Sequence, residues 1–228
     1  MSVDTLEIVL ALVISVVLHE LGHGAAAWAL GDGTAQRAGR LTLNPVSHID
    51  RVGSILVPLM LALGQLATIG RVDFLYGWAK PVPVNPMELR WKGQAHPRQL
   101  MAVVAAAGPG TNFALALLGG LALYLNVVPA FFIYFIEINL LLGIFNLLPV
   151  PPMDGGRIAV GLLPLPVARV WARSEKFGIV AVLLVLFVLP ALLGQMGITF
   201  DPFQAAMGRV LPWAEGIVLQ LTGHGSGN

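Results

Sequence analysis

The sequence predicts an all-α polytopic membrane protein, a transmembrane helix bundle with short re-entrant or β segments. Two observations carry this. Hydrophobic residues make up 57% of the chain and charged residues only 11%, with mean hydropathy +0.81, whereas a soluble domain carries about 25% charged residues. The apolar residues also gather into runs long enough to cross a bilayer as helix, which takes about 20 residues. The lipid bilayer is therefore the main solvent. The net charge of +1 offers no basic surface for nucleic acid. There is no cysteine, so a disulfide or thiolate metal site is excluded and any metal ligand is His, Asp or Glu.

The first helix runs from about Asp4 to Leu30 and stops at Gly31-Asp32-Gly33. Its leading flank, Met1 to Leu10, holds Asp4 and Glu7 and no Lys or Arg. A secretory signal needs a basic start, so this run is expected to be a retained transmembrane helix. Thr34 to Asp50 is polar, with a weak alternation over Arg40 to Leu43 that suggests a short strand and a turn at Asn44-Pro45. Val52 to Gly70 is apolar but short and holds Pro58. Arg71 to Arg98 is proline-rich and reads as an ordered loop. Leu100 to Val127 and Pro129 to Leu148 are spans, a basic segment with Arg157, Arg169, Arg173 and Lys176 follows, and Phe177 to Leu193 is the last clear span. Pro202 to Leu221 places Gln204, Gly208, Pro212, Glu215 and Gln220 on one stripe, a helix expected at the interface or against the bundle. Residues 1–228 are expected to form a single membrane-embedded domain, with a core over about 4–163 and C-terminal helices over about 177–221.

Positive charge sets the expected orientation. The N-terminal flank has no Lys or Arg, whereas Arg37, Arg40 and Arg51 follow the first helix and four basic residues follow the Pro129 to Leu148 span. The positive-inside rule then puts the N-terminus outside and the end of helix one on the cytoplasmic side.

The stretch that organises the chain is His19-Glu20-Leu21-Gly22-His23 inside the first apolar helix. Two histidines four apart on a helix share one face and can grip one zinc ion. Glu20 projects beside them, where a carboxylate can take a proton from water activated by the metal. Three ionisable side chains in a membrane helix are costly and need a reason. An open catalytic zinc site needs a third protein ligand. His48, His96 and His224 all lie in polar segments and read as solvated loop residues. Asp154 is the better candidate, because it sits just past a span that exits on the same side as His19 and His23, so its depth matches theirs.

His19-Glu20-x-x-His23 on an early transmembrane helix, with Asn146-x-x-Pro149-x-x-x-x-Asp154-Gly155 on a later one, resembles the site-2 protease family of intramembrane zinc metalloproteases. Ala107-Gly108-Pro109 followed by Asn112 resembles the family's middle core helix. The resemblance covers about Leu6 to Leu163 and fits the compact bacterial and archaeal members, with no space for a PDZ or CBS domain. It implies a three-helix catalytic core that cuts transmembrane segments of other proteins near the cytoplasmic face, in the cell membrane of a prokaryote. It implies one Zn2+ per chain held by His19, His23 and Asp154, with Glu20 as general base, and it matches Asn146 to a position for substrate or transition-state contacts. Asn112, an amide in an apolar helix, is either a second such contact or an interhelical hydrogen bond.

Two other classes stand beside this one. A membrane zinc peptidase with Glu88, Glu137 or Glu175 as third ligand lacks a partner motif at matching depth. A non-catalytic transmembrane-segment binder or a metal transporter is disfavoured, the first by an intact Glu20 and the second by polar residues gathered near one face rather than along a path. Parity adds a constraint. If every apolar segment between helix one and Asp154 crossed the bilayer, Asp154 would finish opposite His23. Val52 to Gly70, shortest and broken by Pro58, is therefore expected to enter and return on one side as a re-entrant loop or helical hairpin.

Overall fold

A computed structural model describes residues 3–72, 75–94, 96–197 and 201–224. It is an all-α bundle, and no sheet occurs among these residues. Met1, Ser2 and the last four residues of the expected 1–228 domain lie outside them.

Three helices form the centre: α1 (Val3–Ala29), α4 (Pro97–Ala122, extended by a 3-10 turn to Leu125) and α5 (Pro129–Asn146). Each is long and apolar enough to cross a membrane. The C-terminal end of α1 packs against the N-terminal end of α4 through Ala27, Leu30, Leu100 and Val104, so these two run antiparallel. Phe113 of α4 meets Gly143 of α5, and Gly119 of α4 meets Phe135 and Ile136. Helix α5 therefore runs antiparallel to α4 and parallel to α1. With little hydrophobic gain available between helices in lipid, small residues that let backbones approach do the joining.

Asp154 opens the short helix α6 (Asp154–Leu162), which lies along α4, with Arg98 donating to the Leu163 carbonyl at 2.8 Å. Helix α7 (Leu165–Arg173) follows, and then a helical run of α8 (Glu175–Leu183), a π-helical stretch (Leu184–Val188) and α9 (Leu189–Gln195). The π stretch precedes Pro190, whose missing N–H breaks the ordinary ladder. The last helix, α10 (Pro202–Leu221), packs Ala214 and Val218 onto Ala116, Ile136 and Leu140. Of the two expected placements, the one against the bundle is observed.

Between α1 and α4 stand the one-turn α2 (Thr34–Arg37), a 3-10 turn (Pro45–His48), and a helix that begins as a π turn (Arg51–Leu56) and continues as α3 (Val57–Ile69). Two expectations are corrected here. Arg40 to Leu43 is not a strand: Arg40 is buried and its guanidinium donates to the Lys80 carbonyl at 2.7 Å, so side chains hold this segment rather than a ladder. Val52 to Gly70 is not itself a loop or hairpin, because the π turn before Pro58 absorbs the missing donor and the helix continues. The return is made by the segment after it. Trp78 donates its N–H to the Gly53 carbonyl at 3.2 Å, and Ser54 Oγ donates to the Trp78 carbonyl at 2.8 Å. Trp78 therefore lies back beside the start of the 51–69 helix.

The chain then stays at the C-terminal end of α1. Arg90 N–H donates to the Leu30 carbonyl at 2.7 Å and Arg37 pairs with Glu88 at 2.7 Å. The fully buried Asp32 accepts from the Thr34 and Asn85 N–H groups at 2.9 and 2.6 Å. Burial by itself would raise the Asp32 carboxyl, but these bonds and Arg37 outweigh it and hold it below its usual range. The segment between α1 and α4 thus leaves and returns to one end of the bundle, as parity requires.

Candidate metal centre

Local structure aims three side chains at one point. His19 and His23 project from one face of α1, and His23 lies six residues, about 9 Å, before that helix ends. Asp154 reaches them because α6 begins directly under the end of α5: a Cβ at Gly155 would collide with the Leu147 and Leu148 carbonyls. Only glycine permits that approach.

The three ligand-capable atoms form a small triangle. His19 Nε2 and His23 Nε2 are 3.1 Å apart, and Asp154 Oδ2 lies 3.3 Å from the first and 3.2 Å from the second. His23 Nδ1 faces the Val104 carbonyl at 2.8 Å. A carbonyl only accepts, so that nitrogen carries the proton and Nε2 presents its lone pair. His19 Nδ1 faces Asn112 Oδ1 at 2.6 Å. Asp154 Oδ2 is buried and has no hydrogen-bond partner.

Three lone pairs this close repel unless positive charge stands between them. Zinc with ligand atoms at about 2.0–2.1 Å in tetrahedral array sets those atoms about 3.3 Å apart, which matches the triangle. Gly108 on α4 leaves the space: a Cβ there would strike both imidazoles, meeting His19 Cε1 at 2.7 Å. The donor set and its spacing fit zinc.

Glu20 lies beside the triangle, its Oε2 accepting from the Val82 N–H at 2.9 Å. Both face a cavity of about 880 Å³ whose wall includes His48, Pro58, Trp78, Asn146 and Arg157. The cavity lies between the central helices, the 51–69 helix and the returning segment, with Leu186 of the π stretch on its wall.

The structure sorts the sequence-predicted residues. His19, His23 and Asp154 come together, and among the described residues they are the group able to hold a metal. Asn146 lines the cavity, with Nδ2 donating to the Leu142 carbonyl at 3.0 Å. Asn112 does not line it; it is fully buried behind His19 and donates to Asn139 Oδ1 at 2.8 Å, the interhelical hydrogen bond that was its other expected role. His48 is not solvated: it is 3% exposed, with Nε2 on the Thr42 carbonyl at 2.9 Å. His96 is exposed, and His224 packs on the Tyr124 ring. The alternative ligands are engaged elsewhere or face away: Glu88 pairs with Arg37, Glu175 with Arg157, and Glu137 is exposed on α5. Sequence reasoning missed Val82, the Val104 carbonyl, Asn139 and Ser15. The last two were signalled only as polar residues in apolar helices.

Residues 124–189 match the model of Peptidase family M50. YwhC of Bacillus subtilis, named a candidate zinc metalloprotease, is 38% identical over 196 residues, covering 80% of each chain. The chain belongs to peptidase family M50. That is the site-2 protease family, and as a member the chain is an integral membrane zinc metalloprotease. Rip2 of Mycobacterium tuberculosis, also named a candidate zinc metalloprotease, is 30% identical over 190 residues, which are 79% of this chain and 66% of Rip2. Rip2 of Mycolicibacterium smegmatis is 31% identical over 193 residues, 78% of this chain and 65% of that protein. No solved structure matches. Membership sets aside the transporter and the non-catalytic binder.

Proposed function

We propose that this peptidase hydrolyses peptide bonds within transmembrane segments of other membrane proteins, near the cytoplasmic face of a prokaryotic cell membrane, with its N-terminus outside. The zinc ligands are His19, His23 and Asp154, and the general base is Glu20. The observation that carries the reading is the convergence of three lone pairs at 3.1–3.3 Å beside the Glu20 carboxylate, with both histidines and Glu20 on a helix long and apolar enough to cross a membrane.

Zinc held there supplies Lewis acidity towards a carbonyl oxygen and towards water. The residues do the rest. The Val82 N–H fixes Glu20 Oε2, which leaves Oε1 to take the proton of the attacking water and return it to the leaving amine. Asn146 offers its carboxamide to the substrate from the cavity wall. A helical substrate hides its peptide bonds in its own hydrogen bonds and must unwind to be cut. The cavity between the core helices and the outer 51–69 helix gives the unwound stretch a place protected from lipid. The short loop of positive charges after α1 and after α5 supports placing the site end on the cytoplasmic side.

The test compares the parent with Glu20→Gln in proteoliposomes with a single-span peptide. Glu20→Gln keeps its zinc and loses cleavage by several orders of magnitude, since base and metal act together. Cleavage within about tenfold of the parent sinks the assignment of Glu20 as base.

A further inference from the structure

Behind His19 lies a line of polar side chains that the motif chemistry does not use. Ser15, Asn112 and Asn139 come from α1, α4 and α5, and all three are completely buried. Ser15 Oγ donates to the Ala11 carbonyl at 2.7 Å. Asn139 Nδ2 lies 2.8 Å from Ser15 Oγ and 2.8 Å from the Phe135 carbonyl. Asn112 Nδ2 lies 2.8 Å from Asn139 Oδ1, and His19 Nδ1 lies 2.6 Å from Asn112 Oδ1.

The direction of every bond in this line is determined. A carbonyl only accepts, so the Ser15 hydroxyl hydrogen goes to Ala11 and its oxygen is left to accept. Phe135 also only accepts. Both neighbours on that side of the Asn139 amide therefore need donors, and the amide must turn its NH2 towards them and its oxygen towards Asn112. Asn112 must then answer with its own NH2, which turns its oxygen to His19. His19 Nδ1 is left as the donor, and the ring is fixed as the tautomer whose Nε2 lone pair faces Asp154 and His23. Either amide flipped would put two donors or two acceptors face to face in a fully buried position, where an unmet polar group is costly.

We propose that Asn139 and Ser15, through Asn112, are positioning residues for the metal centre: they set the tautomer and ring orientation of His19. This rests on His19 being a zinc ligand, as proposed above. The line ties all three core helices to one imidazole, and it terminates on two backbone carbonyls that cannot reverse. Asn139 is the decisive member, because it alone has a carbonyl on one side and an amide on the other. Ser15 reinforces it, since Phe135 suffices to hold the Asn139 amide in place.

The test measures zinc affinity and unfolding temperature of the full chain in detergent micelles, by competition with a chromophoric chelator and by thermal melt. Asn139→Leu removes the acceptor that orients Asn112 and is expected to weaken zinc binding by about 10–100-fold. Ser15→Ala is expected to weaken it by less than about threefold. Adding Asn112→Asp to Asn139→Leu gives His19 an acceptor that cannot turn the wrong way and leaves no facing acceptor behind it, and is expected to recover at least tenfold of the lost affinity. The proposal is overturned if Asn139→Leu lowers the unfolding temperature while its zinc affinity stays within about threefold of the parent, since the line would then be helix packing alone. It is equally overturned if the double variant recovers none of that affinity, or if Asn112→Leu, which removes the acceptor on His19 itself, keeps zinc affinity within about threefold of the parent; the last result decides the matter even where Asn139→Leu does not fold. His19→Ala separates the two levels: unchanged zinc affinity in that variant removes the ligand assignment itself, whatever the relay does.

Discussion

Gly108→Ala tests the metal centre without touching a ligand. An added Cβ would meet His19 Cε1 at 2.7 Å, where ordinary contact begins at 3.4 Å, an overlap of 3.4 − 2.7 = 0.7 Å, and the His23 ring would be struck more closely still. Neither ring can swing aside freely, because His23 Nδ1 is held by Val104 and His19 Nδ1 by Asn112. The displacement therefore falls on the Nε2 atoms, which stand only 3.1 Å apart. A shift approaching 1 Å at a preorganised centre costs about 100-fold, and we expect zinc affinity to fall by about that factor, with cleavage lost in parallel. Gly110→Ala is the control. It lies two residues on in the same helix, with open space around its Cβ position. It should keep parental zinc affinity and gain up to about 1 kcal/mol of helix stability. Chelator competition on detergent-solubilised protein reads both. Parental zinc affinity in Gly108→Ala would refute the packing argument and with it the location of the metal.

The remaining predictions concern the third ligand, the fold between α1 and α4, and its pH dependence. Asp154→Ala should lower bound zinc clearly in metal analysis while His96→Ala, exposed and remote, leaves it unchanged; the reverse pattern would mean the ligand set is wrong. Gly33→Cys and Glu88→Cys should be labelled by an impermeant thiol reagent from the same side of oriented vesicles, since Arg37 pairs with Glu88 and Arg90 with Leu30; labelling from opposite sides would require another crossing before α4. Asp32 has a folded value below its ordinary 3.8, so its contribution to stability is present above that pH and is lost as pH falls through the folded value. The unfolding temperature of the parent should therefore drop more steeply below pH ~4 than that of Asp32→Asn; parallel curves would show that the Asp32 contacts to Thr34 and Asn85 do not anchor the segment.

Composition and periodicity were enough to establish the class, because 11% charge and long apolar runs admit no soluble fold. The spacing of His19 and His23 put both rings on one helical face, a consequence of 3.6 residues per turn that needs no tertiary information. Depth was legible too: Asp154 follows a span that exits where α1 ends, so its meeting with the histidines was foreseeable. Even parity was readable, because two antiparallel and parallel crossings leave one solution for the ends. Tertiary structure alone decided how the chain obeys it. Pro58 announced a break, yet the π turn over Arg51–Leu56 absorbs the missing donor, and it is Trp78 that comes back to bond Gly53 at the start of that helix. Local sequence cannot state which carbonyl lacks a partner until the helix is packed. The same reason hid the fate of His48, whose polar neighbours predicted solvent, whereas Thr42 and the returning Lys80 enclose it. It also hid Asn139 and Ser15, because a hydroxyl and an amide 124 residues apart become one hydrogen-bonded line only when three helices bring them together behind His19.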